Sequence, residues 1–380
     1  MKIIDRDQEL AALSPRLQGA RRLYLDTEFD SSKAGKKLSL VQIARDGAAP
    51  DEVFLVDALR LRDLSPLKQA FSEQSCEWVL HAGLQDIELL VERLGIEPPT
   101  QVFDTQVAWA LLSPEASVSL SYLKFRLLGL RTGKPHQADD WLRRPLPESQ
   151  LRYAASDIEH LPALREALGE RADALGRIPA IHQASREVAQ PVVSTEPELS
   201  LASFRNAWQL NRRTQAALRF LIDWYNQRPP DERRHAPDAK TMMAIASRVP
   251  ASSDDLARIK GVHRGWAIRH GARFTQLLQA AADNAKAEDF VPIDPAPYAT
   301  FEEFRIEAWL GMARAEVCTR VSAAPDLVFP GRMLKRVRDD LLEGRSLEES
   351  LLHLGDWRGD LLRGPLYEFA NERPLPRTAS

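Results

Sequence analysis

Arg22-Leu23-Tyr24-Leu25-Asp26-Thr27-Glu28-Phe29 opens as an apolar β-strand and then places two acids, Asp26 and Glu28, at its end. Residues 23–25 are β-prone, and alternate residues of a strand point to the same face, so the two carboxylates project together. Two like charges side by side on an otherwise apolar strand are costly unless a cation joins them. The stretch therefore points both to a sheet and to a metal-dependent site.

Two further strands follow closely, at 38–43 and 53–56, separated by polar turns that contain glycine. A helix is expected over 64–71, a strand over 78–81, and a helix over 84–94 that is closed by Gly95 and then Pro98-Pro99. Val102-Phe103 leads into a helix over 105–112, and helical spacing returns over 119–128 and 148–168. Three close-spaced strands followed by strands alternating with helices predict a mixed sheet flanked by helices.

Beyond about residue 170 the strand signal vanishes. Residues 188–200, VAQPVVSTEPELS, read as a linker, and 284–298, with three prolines, as a second. Each linker precedes a long helix, over 204–226 and 301–320. Each long helix leads to a short one, over 239–248 and 330–342, and then to an acid-flanked leucine and a glycine. This faint repeat predicts two all-helical modules after the α/β part. The expected domains are 1–190, 200–285 and 295–375.

At 380 residues the chain is too long for one core, and 44% hydrophobic with 28% charged residues excludes a fibrous or wholly disordered protein. Its mean hydropathy is −0.34, and no uncharged apolar run approaches the ~18 residues of a membrane span, so no membrane partner is expected. The start MKIIDRDQEL lacks the apolar core of a secretory leader, and Cys76 and Cys318 stand far apart, offering neither a disulfide framework nor a zinc site. A cytoplasmic monomer is the expectation. The net charge of −3 is unevenly spread: residues 1–170 carry 21 Lys/Arg against 26 Asp/Glu, residues 195–285 carry 14 against 9. An acidic front and a basic middle suit a metal-binding part followed by one that meets a polyanion.

Two more acids stand out. Asp86 begins the helix after the strand ending at His81, and Asp157 lies on a helix with Tyr153 four residues earlier, so phenol and carboxylate share a face. Taken singly, a first-turn acid or a solvated one explains each. In order, however, Leu25-Asp26-Thr27-Glu28-Phe29, His81-Ala82-Gly83-Leu84-Gln85-Asp86 and Tyr153-Ala154-Ala155-Ser156-Asp157 resemble the three exonuclease motifs of the DEDD superfamily of 3′–5′ exonucleases. Position 152 is Arg rather than His, which places the chain with the tyrosine subgroup. Gln42 within Leu40-Val41-Gln42-Ile43, Phe103-Asp104-Thr105-Gln106, and the run Lys134-Pro135-His136-Gln137-Ala138-Asp139-Asp140-Trp141 are similar to segments of the ribonuclease D family. His136 and Asp139 depart from that family's pattern. The two helical modules resemble its paired HRDC domains.

The resemblance implies an α/β ribonuclease H-like exonuclease domain followed by two all-α HRDC-like domains. It implies a 3′–5′ exoribonuclease that releases nucleoside 5′-monophosphates from single-stranded RNA 3′ ends, with tRNA precursors as partners. Phosphodiester hydrolysis of this kind uses two divalent cations ~3.5–4 Å apart, and carboxylate ligands favour Mg²⁺ or Mn²⁺ over zinc. By carry-over Asp26, Glu28 and Asp157 would hold one ion, Asp26 would bridge to the second, and Asp86 would contribute partly through water. Tyr153 would orient the attacking water. A DNA 3′–5′ exonuclease sharing these motifs, or an inactive nucleic-acid-binding scaffold, are the alternatives. Asp104 is expected as an N-cap, His81 as a satisfied core histidine, and Trp141 either packs or stacks on a base.

Overall fold

A computed structural model describes residues 1–32, 35–47, 52–131, 139–189, 198–233, 236–295 and 300–376. Residues 134–138 of the Lys134 to Trp141 run, the middle of the first expected linker and the end of the second lie outside the described residues. The chain divides into two compact units, Met1–Pro191 with Phe301–Ser380, and Val192–Thr300.

The first unit is built on a six-stranded sheet of order β1-β4-β3-β2-β5-β6. Its strands are β1 (Lys2–Ile4), β2 (Arg22–Ser32), β3 (Gly35–Arg45), β4 (Phe54–Asp57), β5 (Glu77–Leu80) and β6 (Gln101–Asp104). β2, β3 and β4 run antiparallel, while β1 joins β4, and β5 joins β2 and β6, in parallel. The side-chain period of two sorts the strands between two cores. Leu23, Leu25, Val41, Ile43, Phe54 and Val56 pack on one face, beneath α1 (Asp7–Leu17), α2 (Lys68–Phe71) and α3 (Leu84–Leu94). Tyr24, Leu40, Ala44 and Leu55 pack on the other, beneath α4 (Thr105–Ala110), α5 (Leu120–Leu128), α6 (Glu148–Glu159), α7 (Leu161–Asp173) and α8 (Ile178–Ala189). Asp26 and Glu28 continue the Tyr24 face and so look toward α6.

The strand expectations hold, with β2 and β3 longer than their apolar centres suggest. β1, α1 and α8 went unread: β1 is only three residues long, Pro15 interrupts the helical pattern of α1, and α8 runs into the expected linker. The helix expected over 148–168 is two helices: α6 ends at Glu159, and Pro162 sits in the first turn of α7, where its missing N–H is harmless.

The C-terminal helices α14 (Phe301–Arg320), α15 (Pro325–Val328), α16 (Gly331–Leu342), α17 (Leu347–Leu351) and α18 (Asp356–Glu372) share the second core. Ile306, Trp309, Phe329, Trp357 and Phe369 belong to the same buried cluster as Phe103, Leu164 and Ile181. Polar contacts fasten the junction. Ala324 N donates to Ala110 O at 2.7 Å, the Trp357 indole donates to Glu187 at 2.8 Å, and Arg358 pairs with the same carboxylate. Arg177 reaches the carbonyls of Leu111 and Val321.

The second unit holds α9 (Arg212–Asn226), α10 (Pro230–Arg233), α11 (Ala239–Arg248), α12 (Ser253–Ala257) and α13 (Arg264–Asp283) around Leu218, Leu221, Met242, Ile245, Leu256 and Leu278. Its first helix starts eight residues later than the expected 204. Asn211 caps it, accepting from Thr214 N, while Phe204, Ala207 and Leu210 are buried from short 3₁₀ turns and extended backbone. Both helical segments show the expected long helix followed by shorter ones, and each then closes with a second long helix, α13 or α18, that the sequence reading did not name.

Candidate exonuclease centre

Three carboxylates meet where β2 passes under α6. One oxygen each from Asp26, Glu28 and Asp157 lies within 4.8 Å of the others. The strand presents the first two, and α6 presents Asp157 because Leu151, Ala154 and Ile158 bury its opposite stripe in the core. A register shift in the β2–β3 ladder falls between Glu28 and Phe29, so regular pairing ends just past the pair. Gln42 stands opposite Asp26 in that ladder. It is fully buried, and its amide has no hydrogen-bond partner among the described residues.

Asp86 is outside the 4.8 Å group. It comes from the first turn of α3 and accepts a hydrogen bond from Thr27 Oγ1, the residue between the two strand acids. Asp104 fixes that turn: its carboxylate accepts from Ala82 N at 3.0 Å, Gly83 N at 2.9 Å and Gln106 N at 2.8 Å. It is the N-cap of α4, as expected, and it also anchors the chain entering α3. Ala82 is left-handed at φ 54°, and a Cβ on Gly83 would fall 2.6 Å from Leu80 Cβ, so glycine is required there. His81 is satisfied by Thr105 Oγ1 at 2.9 Å and Val118 O at 3.0 Å and is no ligand.

The electrostatics match a site built for cations. Burial, then Asp86, Asp157 and Glu28, push the Asp26 carboxyl well above its ordinary range. Burial and the charges of Asp157 and Asp86 push Glu28 up to about 8. Burial raises Asp86 to about 6 against the opposing Thr27 hydrogen bond, and raises Asp157 as well. Carboxylates held in this state recover their charge when a divalent cation enters. An all-oxygen donor set fits a hard ion such as Mg²⁺ or Mn²⁺.

Tyr153 lies one helical turn before Asp157 and hydrogen-bonds to its carboxylate. Burial first, then the charges of Asp157 and Glu28, raise the phenol pKa, so the hydroxyl keeps its proton at neutral pH. Trp141 is buried, its ring centroid 6.3 Å from that of Tyr153, which makes it a wall for the phenol rather than an open platform for a base.

One residue of this centre escapes the sequence reading. Lys124 of α5 is 1% exposed, and its Nζ lies 3.6 Å from Asp157 Oδ1 while donating to Ser156 O. Burial lowers its pKa, opposed by Asp157. The available signal was a lysine within the apolar helix spacing of Leu120, Leu123 and Leu127, a position that buries a charge only if an acid waits beneath it. Arg144 is a second such pairing: it grips Asp57 and Ser39, and Ser39 Oγ donates to Trp141 O, which holds the Trp141 loop on the sheet.

Among known proteins, a 3′–5′ exonuclease family model matches residues 1–173. The chain is 30% identical over 349 residues to ribonuclease D of Gluconacetobacter diazotrophicus, covering 88% of this chain and 85% of that one. To ribonuclease D of Escherichia coli it is 30% identical over 299 residues, 77% of each chain. The crystal structure of Escherichia coli RNase D, described as an exoribonuclease involved in structured RNA processing, superposes with a TM-score of 0.70. That match is at 25% identity and covers 98% of this chain and 99% of that one. A sheet carrying three converging carboxylates, helical segments after it and likeness along nearly the whole length lead to one assignment: the chain belongs to the ribonuclease D family of 3′–5′ exoribonucleases.

Proposed function

We propose that this enzyme trims single-stranded 3′ ends of RNA, tRNA precursors among them, releasing nucleoside 5′-monophosphates. The observation that carries the reading is the convergence of Asp26, Glu28 and Asp157 within 4.8 Å beside a protonated Tyr153. Two divalent cations, Mg²⁺ or Mn²⁺, would supply charge neutralisation on the phosphodiester and a bound water of lowered pKa. Asp26, Glu28, Asp86 and Asp157 would hold them. Lys124 opposes the rise of the Asp157 pKa and aims its carboxylate, and Tyr153 Oη, retaining its proton, orients the attacking water by hydrogen bonding rather than abstracting a proton.

In this reading residues 1–190 carry the chemistry, and the modules at 200–285 and 295–375 serve docking and support of a folded RNA. The acidic group is complete within one chain, which supports a monomer. Buried, unpaired Cys76 and Cys318 suit the cytoplasm, and no helix among the described residues is long and apolar enough to cross a membrane. The test is a gel of a 3′-tailed tRNA precursor and of matched RNA and DNA oligomers in Mg²⁺, Mn²⁺ or EDTA. Stepwise shortening of RNA that EDTA abolishes is expected. Equal rates on DNA would favour a DNA exonuclease, and binding without shortening in either metal would favour an inactive scaffold.

A further inference from the structure

The second unit contains a cavity of about 470 Å³, remote in sequence from the exonuclease residues and lined by Trp224, Arg228, Val262, His263, Trp266 and Arg269 among others. That volume is in the range of small-molecule and nucleotide sites. Two tryptophans form its walls. Their centroids are 5.9 Å apart at 70°, and both pack on Phe274, at 5.4 and 5.1 Å, while remaining only half-buried. Neither indole completes its burial within this unit.

The rim is cationic. The Arg228 guanidinium lies 4.0 Å from the Trp224 ring and pairs with Glu232 at 2.8 Å, so the acid in the cavity is already neutralised. Arg269 is exposed, and its Nε donates to Gly265 O at 3.1 Å, which leaves its terminal amines for a ligand. The cavity also opens on the start of α13, a 20-residue helix whose N-cap His263 accepts from Trp266 N at 3.3 Å. The N–H groups of Arg264 and Gly265 in that first turn have no helical acceptor. The turn is held in place by Gly261, at φ +98°, where a Cβ would collide with Thr241 Oγ1.

The geometry points to a nucleotide-binding pocket: one base of a single-stranded RNA stacks against Trp224 and Trp266, and its phosphate meets Arg269 and the start of α13. Aromatic walls alone also suit a methylated ammonium, but the exposed Arg269 repels a cation. A proline-rich segment would use the indoles but leave Arg269 and the helix start unemployed. A planar, aromatic anion uses every wall, and residues 195–285 carry an excess of Lys/Arg, 14 against 9, that suits a polyanion. This assignment rests on the proposed RNA substrate and adds a second point of attachment to it.

The test uses the full chain in EDTA, with fluorescence anisotropy of a labelled twelve-residue oligoadenylate RNA and its abasic ribose-phosphate counterpart. Trp266→Leu should weaken oligoadenylate binding about tenfold, the order of one stacked base, and leave the abasic strand unchanged, while Trp266→Phe retains most of the affinity. Arg269→Gln should weaken both strands alike and flatten the logarithmic salt slope by about 0.7, one phosphate contact on a single strand. A folded Trp266→Leu protein with unaltered preference for the base-bearing strand overturns the proposal. Should that variant melt early, photocrosslinking of a 5-bromouridine RNA to the wild-type chain decides. Adducts on the peptides bearing Trp224 or Trp266 support the pocket, and adducts confined to residues 1–191 overturn it. Hydrolysis of the same oligoadenylate by wild-type protein in Mg²⁺ is scored separately, so a failed exonuclease reading is not mistaken for a failed pocket.

Discussion

Glu28→Gln is the perturbation that best tests whether the centre is strained for cations. Glu28 is half-buried beside Asp157 and Asp86, and its carboxyl moves from 4.5 to about 8. A raised carboxyl pKa means that the folded state binds more protons than the unfolded chain between these values. Stability is therefore lost as pH rises through that window and is unaffected below it. At about 1.36 kcal/mol per pH unit, integration gives a ceiling of about 4 kcal/mol at pH 8 and less than about 1 kcal/mol at pH 5. Glu28 shares its repulsion with three other acids and is partly screened by water, which brings the expected effect to about 1–2 kcal/mol. Glu28→Gln should thus raise the melting temperature of the metal-free protein by about 2–4 °C at pH 8 and hardly at all at pH 5. Differential scanning calorimetry in EDTA reads this directly. In Mn²⁺ the order reverses, because the wild type gains binding energy that the variant has lost. Equal stabilisation at both pH values, or none at pH 8, would refute the claim that burial and the neighbouring acids hold the Glu28 carboxyl above its ordinary range.

Tyr153→Phe should lower turnover by about 10² or more while leaving Mn²⁺ affinity by calorimetry unchanged, and a large loss of affinity would make the phenol a ligand instead. Lys124→Met removes the cation that lowers the Asp157 pKa, so the acid limb of the pH–kcat profile should move to higher pH; an unmoved limb would reduce Lys124 to packing. The sequence division predicts that a truncation ending at residue 190 keeps activity on short RNA, but residues 301–376 share its core. It should aggregate, and co-expression with 301–380 should restore a soluble, active complex; a monomeric truncation with a cooperative melt would contradict this.

The acids were legible because strand alternation and helix spacing are local rules. Asp26 and Glu28 share a face by a period of two, and Tyr153 and Asp157 by a period of four, whatever else the chain does. What joins β2 to α6 and α3 is not local. Lys124 meets Asp157 across 33 positions of sequence, and Thr27 reaches Asp86 across 59, pairings that no periodicity encodes. Asp104 was readable as an N-cap from its place before a helix. Its grip on Ala82 and Gly83 depends on β5 and β6 lying side by side, a fact of topology.

The helical segments show the same limit from another side. Amphipathic spacing says that α14 and α18 each bury a stripe, and it cannot say on what. The repeat suggested two separate helical modules, yet α18 sends Trp357 and Arg358 to Glu187 of α8, and the turn after α14 pairs with Ala110 at the end of α4. The segment that shares the core of the sheet's helices is thus the one farthest from them in sequence. Two half-exposed tryptophans and a cationic rim mark the other segment instead, where stability alone gives no reason to leave indoles in water. Similar helical patterns have therefore been put to different uses: the last buttresses α4 and α8, and the middle one keeps an aromatic pocket open for a ligand.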